Sequence, residues 1–334
     1  MSWGQDGSVS RQLSYDYVVS PGSVFSLRTQ SGTLSVKESN DDQVHLVVDV
    51  KGKDTEQVNL VSVSAAQEGD DWEVKMTYDG DLLAPLAPLN GLDIEYELFL
   101  PAGHPLELEH HLGEVNFEGE FVGELDLKLG ESKLNIDALK GQGHQIRASL
   151  SAVHIGEIDN LDLDVKMGQV DIQQARSLNL RSLGAVVAVN RVDSLTLEAD
   201  LGDLRLGYVG HLQGQYGAAQ VKIDSLGSSM DLIGRLAPPM VVQTLGPELQ
   251  YLKLEGATSS LRLAQISAPV VFLEVEEARF ESVGLEAEDP FESPSELGGG
   301  KNYRLAPAAN ARTAGASLKV SLPSQGGRCA IRLQ

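Results

Sequence analysis

Apolar and polar residues alternate with a period of two along much of the chain. Val44, Leu46, Val48 and Val50 alternate with residues such as His45 and Asp49, Trp72, Val74 and Met76 with Glu73 and Lys75, and Ile94, Tyr96, Leu98 and Leu100 with residues such as Glu95 and Glu97. Successive side chains of a strand point to opposite faces, so each run predicts a strand with one apolar and one more polar face. Turn-forming stretches such as Glu68-Gly69-Asp70-Asp71 and Asp79-Gly80-Asp81 separate the runs. No segment carries the spacing of a three-turn amphipathic helix. Residues 1–20 are expected to be a flexible segment and 21–100 an N-terminal β-strand region arranged as a meander.

From residue 101 the alternation tightens into a repeat. Leu161, Leu178, Leu195 and Leu212 follow one another at 17 residues, and the first three open Leu-x-Leu pairs closed by Leu163, Leu180 and Leu197. A glycine follows each (Gly168, Gly184, Gly202, Gly217), and then a second apolar pair, for example Val170/Ile172 or Leu204/Leu206. A fixed period with two or three short strands in it predicts a β-solenoid whose Leu, Val and Ile stack from rung to rung, with glycine at the corner. The alternating residues, among them Asp162, Asp164, Asp171, Arg181, Asp203 and Lys222, point outward. A leucine-rich repeat needs a longer period and a recurring inward Asn, and a hexapeptide coil needs multiples of six; neither fits. Rungs are expected over 101–265, with a protruding loop at 227–247 around Pro238, Pro239 and Pro247. Residues 266–334 are expected to be C-terminal strands and a cap, with a mobile acidic loop at 284–312. The whole of 21–334 then forms one continuous domain, all-β: a single-stranded β-solenoid with an N-terminal antiparallel strand region and irregular acidic loops.

Composition narrows the function classes. With 48 Asp+Glu against 26 Lys+Arg, the formal charge is -22, and 2 Trp, 8 Tyr and 7 Phe supply few stacking platforms. Both argue against a nucleic-acid partner. The one cysteine, Cys329, closes no internal disulfide. The longest apolar stretch, Leu82 to Leu89, contains two prolines and is too short to span a bilayer, so an integral membrane protein is not expected. Residues 1–12 lack the basic start and apolar stretch of a secretory leader. The expected location is cytoplasmic by default, or the cell surface or envelope if a leader was removed.

Phe25-Ser-Leu27 followed by Ser31-Gly32-Thr33-Leu34-Ser35-Val36, then Glu95-Tyr96-Glu97-Leu98-Phe99-Leu100-Pro101 ahead of the degenerate rungs, resembles the putative-adhesin family of bacterial β-solenoid domains, a family of unknown function. The resemblance covers roughly residues 20–265, with 315–333 as a further stretch. It implies a right-handed, β-helix-like coil and a role in surface attachment or envelope structure, and it carries no catalytic residues.

Candidate chemistry is sparse. Asp162, Asp164 and Asp171 with Arg181 or Lys166 would be the group to expect of a β-helix polysaccharide lyase or hydrolase, but spaced outward carboxylates on so acidic a chain need no catalytic explanation. His104, His110, His111, His144, His154 and His211 are expected at the surface or in loops; His110 and His111, adjacent on a strand, face opposite ways and do not ligate together. Gly298-Gly299-Gly300-Lys301 lacks both the first glycine and the Ser/Thr of a phosphate loop and is expected to be a linker. Cys329 lacks a partner histidine motif and is expected to be a small structural residue. No catalytic, cofactor-binding or metal-ligating residue and no cofactor is assigned. The expectation is a non-catalytic binding or structural module, adhesin-like, whose partner is a protein or a cell-surface or envelope component, with self-association as a further property. An intracellular polymerising scaffold is the first alternative and a carbohydrate-active β-helix enzyme the second.

Overall fold

The computed structural model describes residues 8–78, 91–257, 260–266, 271–276, 279–283, 285–287, 301–307, 316–321 and 327–333. These form a β-solenoid of about nine turns, with one short helix. The chain divides into two compact units, residues 1–163 and 164–334.

The first unit begins with β1 (Val9–Val18), β2 (Phe25–Glu38), β3 (Gln43–Gly52), the five-residue helix α1 (Thr55–Asn59), β4 (Val61–Glu68), β5 (Asp71–Tyr78) and β6 (Asp93–Leu100). It continues with β7 (Leu106–Phe121), β8 (Leu125–Leu129), β9 (Ser132–Leu139), β10 (His144–Ser149) and β11 (Ala152–Lys166), which runs past the unit boundary. α1 starts because the Asp54 carboxylate accepts from the Gln57 amide at 2.9 Å, satisfying one of the orphan donors of the first turn. β2 lies parallel to β7 over nearly its whole length, with Phe25 opposite Leu106 and Leu34 opposite Val115, and its two halves also pair with β5 and β6. β7 in turn pairs with β8 and β9, β8 with β10, and β9 with β11, all parallel. In-register parallel pairing stacks like on like: Phe25 and Leu106, and Leu125, Leu127, Leu134 and Ile136 are almost wholly buried. On the other side β1, β3 and β6 run antiparallel. β1 therefore departs from the flexible segment expected at 1–20: Leu13, Tyr15 and Tyr17 alternate along it, and Tyr17 buries its ring against Phe25 and Trp72.

The second unit holds β12 (Gln169–Leu183), β13 (Val186–Asp200), β14 (Asp203–Tyr216), β15 (Gln220–Arg235), β16 (Met240–Leu245), β17 (Tyr251–Ala257) and β18 (Ser260–Ile266). β12, β13 and β14 stack parallel at a 17-residue offset, so Leu178, Leu195 and Leu212 form one interior column. Between Val209 and His211 the pairing of β14 with β15 takes up one extra residue, and Leu212 lies opposite Met230. That bulge, with Pro238 and Pro239 at a corner, lets residues 227–247 continue the coil as β15 and β16; the protruding loop expected there is absent, because Met230, Leu232, Met240 and Val242 keep the inward alternation. The remaining strands are β19 (Val271–Glu276), β20 (Arg279–Val283), β21 (Leu285–Ala287), β22 (Lys301–Pro307), β23 (Ala316–Ser321) and β24 (Gly327–Leu333). Parallel pairing gives way to antiparallel here: β24 pairs with β17 and β19, β23 with β18 and β20, and β22 with β19 and β21. β21 and β22 fall inside the range expected to be an acidic loop; the rest of 284–312 lies outside the described residues, as does the Gly298–Gly300 run.

Candidate functional site

A groove of about 840 Å³ lies on the side of the second unit, lined by residues from Asp164 at the end of β11 to Leu236 after β15. Three kinds of column build it. On the outer face Arg181, Glu198 and Gln215 are in register on successive strands. The Arg181 Nε lies 3.5 Å from a Glu198 carboxylate oxygen, and Gln215 Nε2 donates to the other at 3.3 Å. Asp164 also lines the groove. Beneath them Ser182, Ala199, Tyr216 and Gly234 form the inward column, and the small neighbours Ala199 and Gly234 leave room for the Tyr216 ring. Tyr216 is 1% exposed, and among the described residues its hydroxyl has no hydrogen-bond partner; nor has the buried Ser182 hydroxyl. Burial, with a smaller contribution from Cys329, holds the Tyr216 phenol well above its ordinary pKa. The Cys329 thiol is itself buried and pushed up to about 12.

The third column is the corner. The Asp200 carboxylate accepts from the Ala218 amide at 3.0 Å and lies over Gly217, where an added Cβ would come 2.5 Å from its oxygen. Gly217 and Ala218 thus form a notch in the corner, below the exposed Leu236.

The residues singled out in the sequence are only partly united. Asp164 and Arg181 meet in the groove, joined by Glu198 and Asp200, which the sequence alone did not distinguish from other outward carboxylates. Asp171 stands elsewhere on β12, opposite Ala188 and holding the Gln173 amide at 2.7 Å. Asp162 belongs to the first unit, and Lys166 does not line the groove. The histidine expectation needs correction. His104, His110 and His144 are buried, because each sits at an inward position of its run; His111, adjacent to His110, is exposed as the alternation requires. The His110 Nδ1 lies 2.7 Å from the Thr29 hydroxyl, and burial, with the neighbouring His111, lowers its pKa to about 4. Among the described residues no group of three His, Cys, Asp or Glu is placed to hold a metal ion, and no helix is long and apolar enough to cross a membrane.

Fold and surface define a β-solenoid protein with a lateral groove. No family model and no curated protein matches the chain. Among solved structures it is similar to a putative adhesin from Parabacteroides distasonis (11% identity, covering 77% of this chain and 97% of that one, TM-score 0.41) and a putative adhesin from Parabacteroides merdae (13% identity, 74% and 93%, TM-score 0.38). It is also similar to a putative lipid binding protein from Parabacteroides distasonis (8% identity, 72% and 95%, TM-score 0.34). Similarity this low assigns no activity to the chain.

Proposed function

We propose that this protein is a non-catalytic binding and structural module, adhesin-like in its work at the cell surface or envelope, and that the lateral groove of the second unit is its contact site. The observation that carries this reading is the state of the groove's reactive groups. The Ser182 and Tyr216 hydroxyls that line it are covered, and Arg181, Glu198 and Gln215 form an exposed polar column held in register by contacts of 3.5 and 3.3 Å. A nucleophile or general base must reach the atom it attacks or the proton it takes. A binding surface needs only fixed polar groups beside apolar ones, here Leu183, Ala218 and Leu236.

The test pairs an activity assay with a binding assay on the full chain. Incubation with acidic and neutral polysaccharides is expected to release no reducing ends or unsaturated products. The immobilised chain is expected to retain components of a glycan and matrix-protein array, with retention reduced by Arg181→Ala. Turnover that Arg181→Ala abolishes would replace this reading with the carbohydrate-active one. Protease treatment of intact cells, followed by detection of the chain, addresses the location.

A further inference from the structure

One corner of the second unit carries an apolar ridge whose members alternate in size. On successive rungs the corner position is Met167, Gly184, Leu201, Ala218 and Leu236. Backbone bonds from the Met167 amide to Leu183 O (2.9 Å) and from the Gly184 amide to Asp200 O (3.0 Å) set this register. Four of the five lie in the left-handed region: Met167 at φ 50, Gly184 at 68, Leu201 at 60 and Leu236 at 52. Glycine adopts this backbone freely, whereas leucine and methionine do so under strain. Yet Met167, Leu201 and Leu236 are 58%, 51% and 74% exposed. Large apolar side chains are thus held outward at a strained corner, and strain of this kind gathers where a surface works. Leu150, 17 residues before Met167, repeats the conformation in the first unit at φ 55.

Rungs stack at about 4.8 Å, so the three knobs stand roughly 10 Å apart with Gly184 and Ala218 as notches between them. Over the four rungs from Met167 to Ala218 such a ridge is complementary to itself. The flanking column repeats the property in charge, since Arg181 is followed one rung later by Glu198. A two-fold axis crossing the ridge in the plane of contact, midway between the rungs of Gly184 and Leu201, reverses the order of rungs in a second copy. Leu201 then seats on that copy's Gly184, Met167 on its Ala218, and Arg181 opposite its Glu198. Each contact occurs twice, as an isologous interface requires.

We propose that this corner ridge docks a second copy of the chain, side by side and antiparallel. This rests on the reading of the lateral surface as a contact site and names its partner. With a formal charge of -22 on each copy, long-range repulsion opposes the pairing and salt relieves it. The test is analytical ultracentrifugation of the full chain over a range of concentrations and salt. The wild type is expected to show a monomer–dimer equilibrium whose dimer fraction rises with salt. Leu201→Gly removes the knob while keeping a residue suited to the backbone, and is expected to weaken dimerisation roughly tenfold or more with the unfolding midpoint held or raised. Arg181→Glu and Glu198→Arg are each expected to remain monomeric, because each homodimer places like charges opposite one another. Mixed together they are expected to form one-to-one dimers, in which every facing pair is opposite in sign. That outcome cannot come from a folding defect or from the pair within one chain. A wild type monomeric at all concentrations and salts, a Leu201→Gly variant that dimerises like the wild type, or a mixture that stays monomeric would each overturn the proposal. Retention of a monomeric chain on the array would leave the binding reading standing without it.

Discussion

A leucine in the left-handed region costs about 1–2 kcal/mol relative to an ordinary backbone. Leu201 at φ 60 is the clearest instance, since its side chain is half exposed. Leu201→Gly removes that strain and adds the chain entropy of glycine, so its unfolding free energy from urea titration is expected to lie within about 1 kcal/mol of the wild type, on the stable side. Leu201→Val sets a β-branched side chain on the same backbone and is expected to lose about 1 kcal/mol or more; equal midpoints for the two variants would remove the strain argument. His110 is the opposite case, a buried group that is strained only when charged. Its pKa is lowered to about 4 by burial first and His111 second, below the roughly 6.5 of an unfolded histidine. A depressed folded value means that the unfolded chain binds the extra proton: the stability conferred by neutral His110 is complete above pH 6.5 and lost as pH falls through 4. Urea unfolding at pH 7 and at pH 4 is expected to differ by about 3 kcal/mol through this residue. The double variant Thr29→Val/His110→Met removes both partners of the buried contact and is expected to flatten that part of the pH dependence.

Where β1 lies along β3 as an antiparallel neighbour, a side-chain bridge supplements the ladder. The His45 Nδ1 lies 2.6 Å from an Asp16 oxygen on β1, and its Nε2 lies 2.9 Å from Asp41 in the turn before β3. The bonds to Asp16 and then Asp41 raise the histidine's pKa. A raised folded value places the bridge's contribution fully below the unfolded pKa of about 6.5 and removes it as pH rises through the folded one. Amide exchange in β1, corrected for intrinsic rates, is expected to show more protection at pH 6 than at pH 9, and Asp16→Asn is expected to abolish the difference; a change of equal size in the variant would exclude the bridge. The rungs themselves were legible from the sequence, because a 17-residue period fixes both the inward face and the register, as the Leu178, Leu195 and Leu212 column shows. β1 is less so, since Arg11 interrupts the apolar series of Val9, Leu13, Tyr15 and Tyr17 and only pairing with β3 fixes the strand. The course of residues 227–247 is not legible in the sequence, because prolines at a rung corner look the same there as prolines in a loop. The groove had only Asp164 and Arg181 as advance signals. Glu198, Gln215 and Tyr216 come from later rungs, and their meeting depends on the stacking itself. The corner ridge has no signature beyond a mixture of Leu, Met, Gly and Ala at one phase of the repeat, and the handedness of φ there is not written in composition.

The acidic excess over the whole chain is organised but not neutralised by its ion pairs. Lys37 bridges Glu97 at 3.0 Å and Glu118 at 3.4 Å, and Arg147 meets Asp126 at 2.6 Å, all on solvent-facing positions. Exposed pairs of this kind contribute about 0–1 kcal/mol each, so rung-on-rung burial of Leu, Val and Ile holds the coil together. In such an architecture each turn touches only its neighbours, and stability is close to a sum of local terms. Gly214 offers a way to disturb a single turn. It takes the place of the leucines at 180, 197 and 232 in an inward column, at φ 129, and an added Cβ would lie 2.0 Å from Leu197 O. Gly214→Ala must therefore push β13 and β14 apart as well as strain the backbone, at a cost on the order of 3 kcal/mol. Nearest-neighbour coupling confines that cost: native-state hydrogen exchange is expected to accelerate in β13, β14 and β15 while β2 and β7 of the first unit keep their wild-type protection. Uniform acceleration through both units would show instead that the chain opens as one cooperative body, and the additive account of its stability would fail.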